Sequence, residues 1–219
     1  LQSPQVVTTP QGQAIGFQSA PGFLEAANIR YVISAVPLSH PALRQVYLGS
    51  AAVYENTAAL PRAYLVPEVE TIPGEDGALE RMTRPGFDPR RVGVVSGEEP
   101  LQLPTGPLAG GAEVRSHEPD RVVVHGTPSR EALLVLADNY YQGWVARIDG
   151  EAAPILRVNH TMRGVVVPPG DHEVVFSYEP RDLYVGLYIH LAGMALLLAY
   201  AVYLALRAVR ERRPVPAPA

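Results

Sequence analysis

The chain has 219 residues, of which 47% are hydrophobic and 18% are charged, and this composition excludes a disordered chain. It contains no cysteine, which excludes disulfide bonds and thiolate zinc sites. The formal net charge of −4 combines an Arg-rich C-terminal end with an acidic remainder. Nucleic acid is excluded as a partner because its phosphates require a basic surface.

The N-terminal part of the chain is predicted to be α+β. The first 22 residues are rich in Gln, Pro and Gly and are predicted to be a loop or linker. The segment 23–97 follows, with a helical turn at Phe23–Asn28, several strands and a short helix at Glu75–Met82. The 22 prolines of the chain favour short strands, because proline lacks the amide donor that helices and sheets need.

The second part of the chain is predicted to be a small antiparallel β-sandwich. A Pro/Gly-rich loop at 98–112 precedes it, and residues 113–180 contain six or seven short strands separated by turn residues. Asp149-Gly150 lies between two apolar runs and predicts a tight hairpin, and a second tight turn is predicted at Val167–His172. The fold class is therefore mainly β, with an α+β N-terminal part.

Residues 183–206 are predicted to form a transmembrane helix. They include no charged residue and no proline, and about 20 apolar residues suffice to cross a bilayer. The Arg-rich tail 207–219 is predicted to be cytoplasmic, which places the bulk of the chain outside the cytoplasm of a bacterial cell. His190 within the helix is interpreted as a proton-relay residue or as a hydrogen-bond partner of a neighbouring helix.

The expected partners follow from this membrane segment. The lipid bilayer is one partner, and export of the domain requires a signal or membrane spans that precede it. The chain begins LQSPQVV, without a basic and apolar leader, so we expect upstream transmembrane helices of the same protein as a second partner.

Sequence motifs for catalysis, phosphate loops or metal binding are not found, so no catalytic residue, metal ligand or cofactor is predicted. The densest polar and aromatic cluster is ADNYYQGW, with Asp138, Tyr140, Tyr141 and Trp144. Such rings and polar groups can stack on a sugar and form hydrogen bonds with it. The alternative is that Trp144 fills the core of the sandwich.

The run from Leu133 to Pro180, followed by an apolar helix, resembles the C-terminal region of bacterial YfhO-type membrane proteins. The resemblance is collinear over roughly residues 23–206 and includes the earlier segments NIRYVIS and VYENTAALPRAYLV. It implies a polytopic protein with a GT-C-like glycosyltransferase architecture. It also implies sugar transfer from a lipid-linked donor to cell-surface polymers, with catalysis in a region other than this one.

Ten residues match the family pattern, and two of them are arginines, Arg62 and Arg163. Either can bind a phosphate in a bidentate manner or pair with an acid of the domain. The predicted ligand-binding residues are therefore Arg62, Asp138, Tyr140, Tyr141, Trp144 and Arg163. The predicted function is accessory to sugar transfer, with a cell-surface glycopolymer or a lipid-linked sugar as ligand. The alternative is a non-catalytic surface module that binds glycans or a protein.

Overall fold

The structure is a computed structural model that describes residues 5–9, 12–16 and 21–211. The chain divides into two units, Leu1–Tyr178 and Glu179–Ala219. Within the described residues the first unit is mostly β and the second contains one helix, so the fold class predicted from the sequence is confirmed.

The described elements are three helices and seventeen strands. The helices are α1 (Pro21–Ala26), α2 (Glu75–Thr83) and α3 (Arg181–Glu211). The strands before the Pro/Gly-rich loop are β1 (Gln5–Thr9), β2 (Gly12–Gly16), β3 (Tyr31–Ser34), β4 (Leu38–Ser39), β5 (Leu43–Leu48), β6 (Ala52–Asn56), β7 (Ala63–Val66), β8 (Glu68–Ile72) and β9 (Val92–Ser96). Those after it are β10 (Ala112–His117), β11 (Arg121–Gly126), β12 (Ala132–Asn139), β13 (Trp144–Ile148), β14 (Glu151–Ala153), β15 (Leu156–Val158), β16 (Met162–Val167) and β17 (His172–Tyr178).

Two sheets form a β-sandwich. One has the strand order β10-β11-β17-β13-β14, and the other has the order β7-β12-β16-β15-β9-β8. The six-stranded sheet combines strands from both sides of the Pro/Gly-rich loop, because β7 pairs with β12 along Leu133–Leu136. The sandwich therefore includes strands that precede residue 98 as well as those predicted within 113–180.

Strand β12 is the centre of the core because both of its faces are covered. Leu134 and Leu136 pack toward the five-stranded sheet, in a cluster with Phe176. Leu133 and Val135 pack on the opposite side. This explains the uninterrupted apolar run of β12, since a strand buried on both faces loses the polar alternation of a surface strand.

The outer face of the six-stranded sheet is covered by the two short helices. Ala78 and Met82 of α2 are buried against Val94 of β9, and Ala26 of α1 belongs to the same cluster. Helix α2 connects β8 to β9, which pair in parallel. A parallel pair needs such a crossover, and the helix in this position buries its apolar side on the sheet.

The N-terminal region differs from the predicted loop. Strands β1 and β2 pair in an antiparallel manner between Gln5 and Gly16, and β2 also pairs with β4. The β-branched residues of QVVTT explain strand formation, although Gln and Gly indicated a linker. A further three-stranded sheet has the order β3-β6-β5.

Two of the predicted turns have distinct roles. Asp149 and Gly150 have φ angles of 52° and 89° and connect the paired strands β13 and β14, so the predicted hairpin is confirmed. The turn at Val167–His172 instead connects β16 of one sheet to β17 of the other. Gly170 has a φ of 128° there, which a residue with a side chain rarely adopts.

Helix α3 is long and apolar enough to cross a membrane over Arg181–Ala208. No residue of its most apolar window is buried within the structure, whereas a core helix of a soluble protein would be buried. Only Glu179 and Pro180 lie between β17 and the first residue of this helix.

Candidate functional site

Polar and aromatic side chains gather at one end of the sandwich, where β10, β12 and β17 end and where β7, β13 and β16 begin. We refer to five of them, Arg62, His117, Asp138, Trp144 and Arg163, as the Asp138 cluster. Antiparallel pairing within each sheet and the packing of the two sheets bring these strand ends together, although the residues are up to 101 positions apart in the sequence.

The Asp138 carboxylate is the centre of the cluster. Its Oδ1 atom accepts a hydrogen bond from Arg62 Nη1 at 2.9 Å, and its Oδ2 atom accepts one from Arg163 Nη2 at 3.0 Å. His117 Nε2 lies 3.2 Å from Oδ2 and 2.8 Å from Arg62 Nη1. A β-bulge in β12 between Leu136 and Asn139 interrupts the pairing with β16 at this point and positions the carboxylate.

Arg163 is the buried member of the cluster, with 3% of its surface exposed. Its guanidinium carbon lies 3.8 Å from the centre of the Trp144 ring and 5.6 Å from that of Phe176. Nε and Nη1 have no hydrogen-bond acceptor among the described residues, and the aromatic faces compensate through cation–π attraction. Burial lowers the pKa of Arg163, and the Asp138 carboxylate acts in the opposite direction.

Arg62 and His117 form the accessible side of the cluster. Their side chains are 44% and 43% exposed, whereas the side chain of Asp138 is 13% exposed. Two guanidinium groups share one carboxylate, so the cluster retains at least one positive charge. Since Arg163 is buried, Arg62 presents this excess charge to the solvent.

An aromatic row continues from the cluster to the end of β17. The rings of Trp144 and Tyr178 lie 5.6 Å apart, and those of Tyr141 and Tyr178 lie 6.4 Å apart. Tyr141 is 66% exposed, and Trp144 is partly buried at the edge of the core between the sheets. A row of this kind offers ring faces on which the C–H face of a sugar can stack.

The six residues predicted from the sequence do not all meet. Arg62, Asp138, Trp144 and Arg163 lie together, and Tyr141 joins them through Tyr178. The Tyr140 ring lies 5.7 Å from the guanidinium carbon of Arg157. Tyr140 is thus not brought into contact with the cluster by the described interactions.

His117 and Tyr178 were missed by the sequence interpretation. His117 is the last residue of β10, and its side chain contacts Arg62, which precedes β7. Tyr178 is the last residue of β17. The sequence signal that could have indicated both residues is their position at the end of a predicted strand. A polar or aromatic residue there lies near the other strand ends at the same end of the sandwich.

Other residues that match the family pattern have structural roles. Asn159 is fully buried, and its side chain accepts a bond from the Val94 amide at 3.0 Å and donates to the Tyr64 hydroxyl at 3.1 Å. Burial raises the pKa of Tyr64, so its hydroxyl stays protonated. Asn56 is buried too and donates to the carbonyl of Ile29.

Both arginines of the family pattern pair with an acid of the domain, which was one of the two alternatives left by the sequence. Arg62 can also bind a phosphate, which was the second alternative, because its side chain is exposed. Within the described residues, no group of three or more histidine or acidic side chains is arranged to hold a metal ion. The arrangement is suited to binding an anionic group beside an aromatic surface.

These features define a β-sandwich domain that is followed by a helix long enough to span a membrane. The family model described as "Bacterial membrane protein YfhO" matches residues 112–190, from β10 into α3. Residues 112–190 are thus similar to the YfhO family of bacterial membrane proteins, which confirms for this region the resemblance seen in the sequence. No curated protein and no solved structure shows significant similarity to the chain.

Proposed function

We propose that the chain is an extracytoplasmic domain with a membrane span of a YfhO-type polytopic membrane protein. In this proposal the domain assists the transfer of sugars from a lipid-linked donor to cell-surface polymers. The Asp138 cluster binds the anionic group of the donor or of the polymer. The observation that carries the proposal is an excess positive charge on the exposed Arg62, in a cluster that also contains Trp144 and continues into the rings of Tyr178 and Tyr141.

The chemistry of the cluster matches a sugar that is attached to a phosphate. Arg62 can donate charge-assisted hydrogen bonds to phosphate oxygens, and Asp138 holds its guanidinium group in place. The neighbouring aromatic row supplies a surface for the sugar ring. Tyr178, the middle ring of that row, is separated from the membrane helix by two residues in the sequence, which favours a ligand that is anchored in the lipid.

The proposed orientation places the domain outside the cytoplasm and the Arg-rich tail inside, in agreement with the positive-inside rule. Because the chain has no cysteine, single-cysteine variants test this directly. A membrane-impermeant maleimide applied to intact cells is expected to label Thr105→Cys and to leave Ala219→Cys unlabelled. The reverse pattern would contradict the orientation.

Ligand binding is tested with the full chain in detergent, through the fluorescence of Trp144, which is the single tryptophan. A short polyprenyl phosphate–hexose is expected to change the emission, and Arg62→Gln is expected to weaken its binding roughly tenfold, the value of one charge-assisted hydrogen bond. Arg84→Gln is the matched control, because Arg84 is also exposed and pairs with a single acid, Glu80.

Two outcomes separate this proposal from its rival. Equal weakening by Arg62→Gln and Arg84→Gln would indicate non-specific attraction and would contradict a built site. Tight binding of a neutral oligosaccharide that is insensitive to Arg62→Gln but is lost with Tyr141→Ala would instead support a non-catalytic glycan-binding module. That alternative rests on the exposed ring of Tyr141 beside Tyr178.

A further inference from the structure

The sheet β3-β6-β5 exposes a large apolar face that the sandwich does not cover. Cross-strand pairing places Ile33 opposite Val53 and Val53 opposite Tyr47, so these residues form one row across the three strands. Tyr31, Glu55 and Arg44 form the neighbouring row on the same face. We refer to these six residues as the open face.

The open face contains three large and exposed side chains. Tyr31, Ile33 and Tyr47 are 60%, 73% and 62% exposed, which corresponds to surface on the order of 400 Å², the size of the largest apolar patch of a typical monomer, which is often functional. The opposite face of the same sheet is buried at Ala52, Tyr54 and Asn56. On β5 the exposure extends to that opposite face as well, since Leu48, the cross-strand partner of Ala52, is 72% exposed.

Within the domain, this sheet is attached near the end of the sandwich that holds the Asp138 cluster. Strand β6 ends at Asn56, and Arg62 contacts Asp138 six residues later. Strand β17 ends at the same side with Tyr178, and two residues lie between it and the membrane helix. Because the domain is tethered to this helix, the bilayer that holds the helix is the apolar phase with the highest local concentration near the open face.

We propose that the open face of β3-β6-β5 inserts into the interface of the bilayer and holds the domain against the lipid surface. Its composition fits this environment. Tyrosine rings are enriched at the level of the headgroups, and Ile33 and Val53 provide the apolar centre between Tyr31 and Tyr47. Arg44 and Glu55 form an ion pair, so this row carries no net charge.

The absence of cysteine from the chain makes the proposal measurable with single labels. The full chain is reconstituted into nanodiscs of phosphatidylglycerol and phosphatidylethanolamine, and an environment-sensitive NBD label is attached to Ile33→Cys or Tyr47→Cys. Thr105→Cys in the exposed Pro/Gly-rich loop is the aqueous control, and Leu197→Cys in α3 is the membrane control.

Interfacial insertion buries an apolar face about 5–10 Å deep, at the boundary of headgroups and acyl chains. Labels at positions 33 and 47 are therefore expected to emit at shorter wavelength than the label at 105. They are also expected to be quenched more by a spin label at carbon 5 of the lipid chain than by one at carbon 12. In the Tyr47→Cys background, Ile33→Glu is expected to abolish this quenching, whereas Thr105→Glu leaves it unchanged.

Three results would overturn the proposal. The first is water-like emission at positions 33 and 47, with iodide quenching equal to that at 105. The second is a blue-shifted emission without quenching by either lipid spin label, which would indicate that protein covers the face. The third is quenching that depends on two copies of the chain in one nanodisc, which would indicate a dimer.

Discussion

Removal of the Asp138 carboxylate tests whether it compensates the charge of a buried arginine. Asp138→Leu leaves the guanidinium of Arg163, which is 3% exposed, without its acidic partner. Breaking a buried pair in this way costs about 3–5 kcal/mol of unfolding free energy. We expect about 3 kcal/mol, since the Asp138 side chain keeps 13% exposure and solvent can reach part of the site.

The double variant Asp138→Leu/Arg163→Met distinguishes charge compensation from packing. Methionine has a similar length and can pack on the Trp144 ring, so the double variant is expected to recover most of the lost stability. Urea unfolding of the full chain in detergent measures both values, and Trp144 fluorescence reports on the site. A loss below about 1 kcal/mol in Asp138→Leu, or no recovery in the double variant, would refute the reasoning.

Three further predictions concern the domain away from the cluster. The hydrogen bond with Asp149 raises the pKa of His172. The stabilisation of the fold by this pair is therefore complete below about pH 6.5 and is lost as the pH rises through the raised pKa. An NMR titration of His172 and a comparison of stability with His172→Gln measure this, and an unshifted pKa would contradict it. Asn159→Leu leaves the Val94 amide without its side-chain acceptor and is expected to cost about 2–3 kcal/mol in urea unfolding, whereas an unchanged midpoint would disprove the buried network. Gly150→Ala, at a φ of 89°, is expected to cost about 1 kcal/mol in the same assay, and a neutral effect would refute the turn strain.

The local elements of this fold were predictable because each has a short-range cause. The Asp149-Gly150 hairpin follows from two residues that tolerate positive φ angles, and Glu75–Met82 was predicted as a helix that the structure places at Glu75–Thr83. The apolar helix α3 was evident from its length and composition. These signals act over a few residues and do not require knowledge of the neighbouring strands.

The partners of the strands were not predictable from the same signals. Ala63–Val66 pairs with Leu133–Leu136, about seventy positions later, and no local pattern specifies that choice. The antiparallel pairing of β1 with β2 was hidden by Gln and Gly residues that are also typical of linkers. Pairing at long range depends on which edges remain free after the central strands have assembled.

The residue types of the site were predictable from the sequence, but their contacts were not. Residue chemistry indicated that Arg62 and Arg163 bind either a phosphate or an acid, but the identity of the acid depends on the bulge in β12 that positions Asp138. His117 enters the site through the contact of its ring with Arg62, and the packing of the two sheets against each other brings these residues together. Geometry of this kind appears only when both sheets are formed.

The two arginines of the cluster differ in a way that assigns them separate roles. Arg163 is stacked on Trp144 and is buried, so an incoming anion would have to displace packed aromatic rings to reach it. Arg62 is exposed and uses Nη1 for both Asp138 and His117. The roles should therefore separate experimentally: loss of Arg163 affects mainly stability, whereas loss of Arg62 affects mainly the binding of an anion. The shared carboxylate links the two roles, because the residue that compensates the buried charge also holds the exposed guanidinium in its binding position.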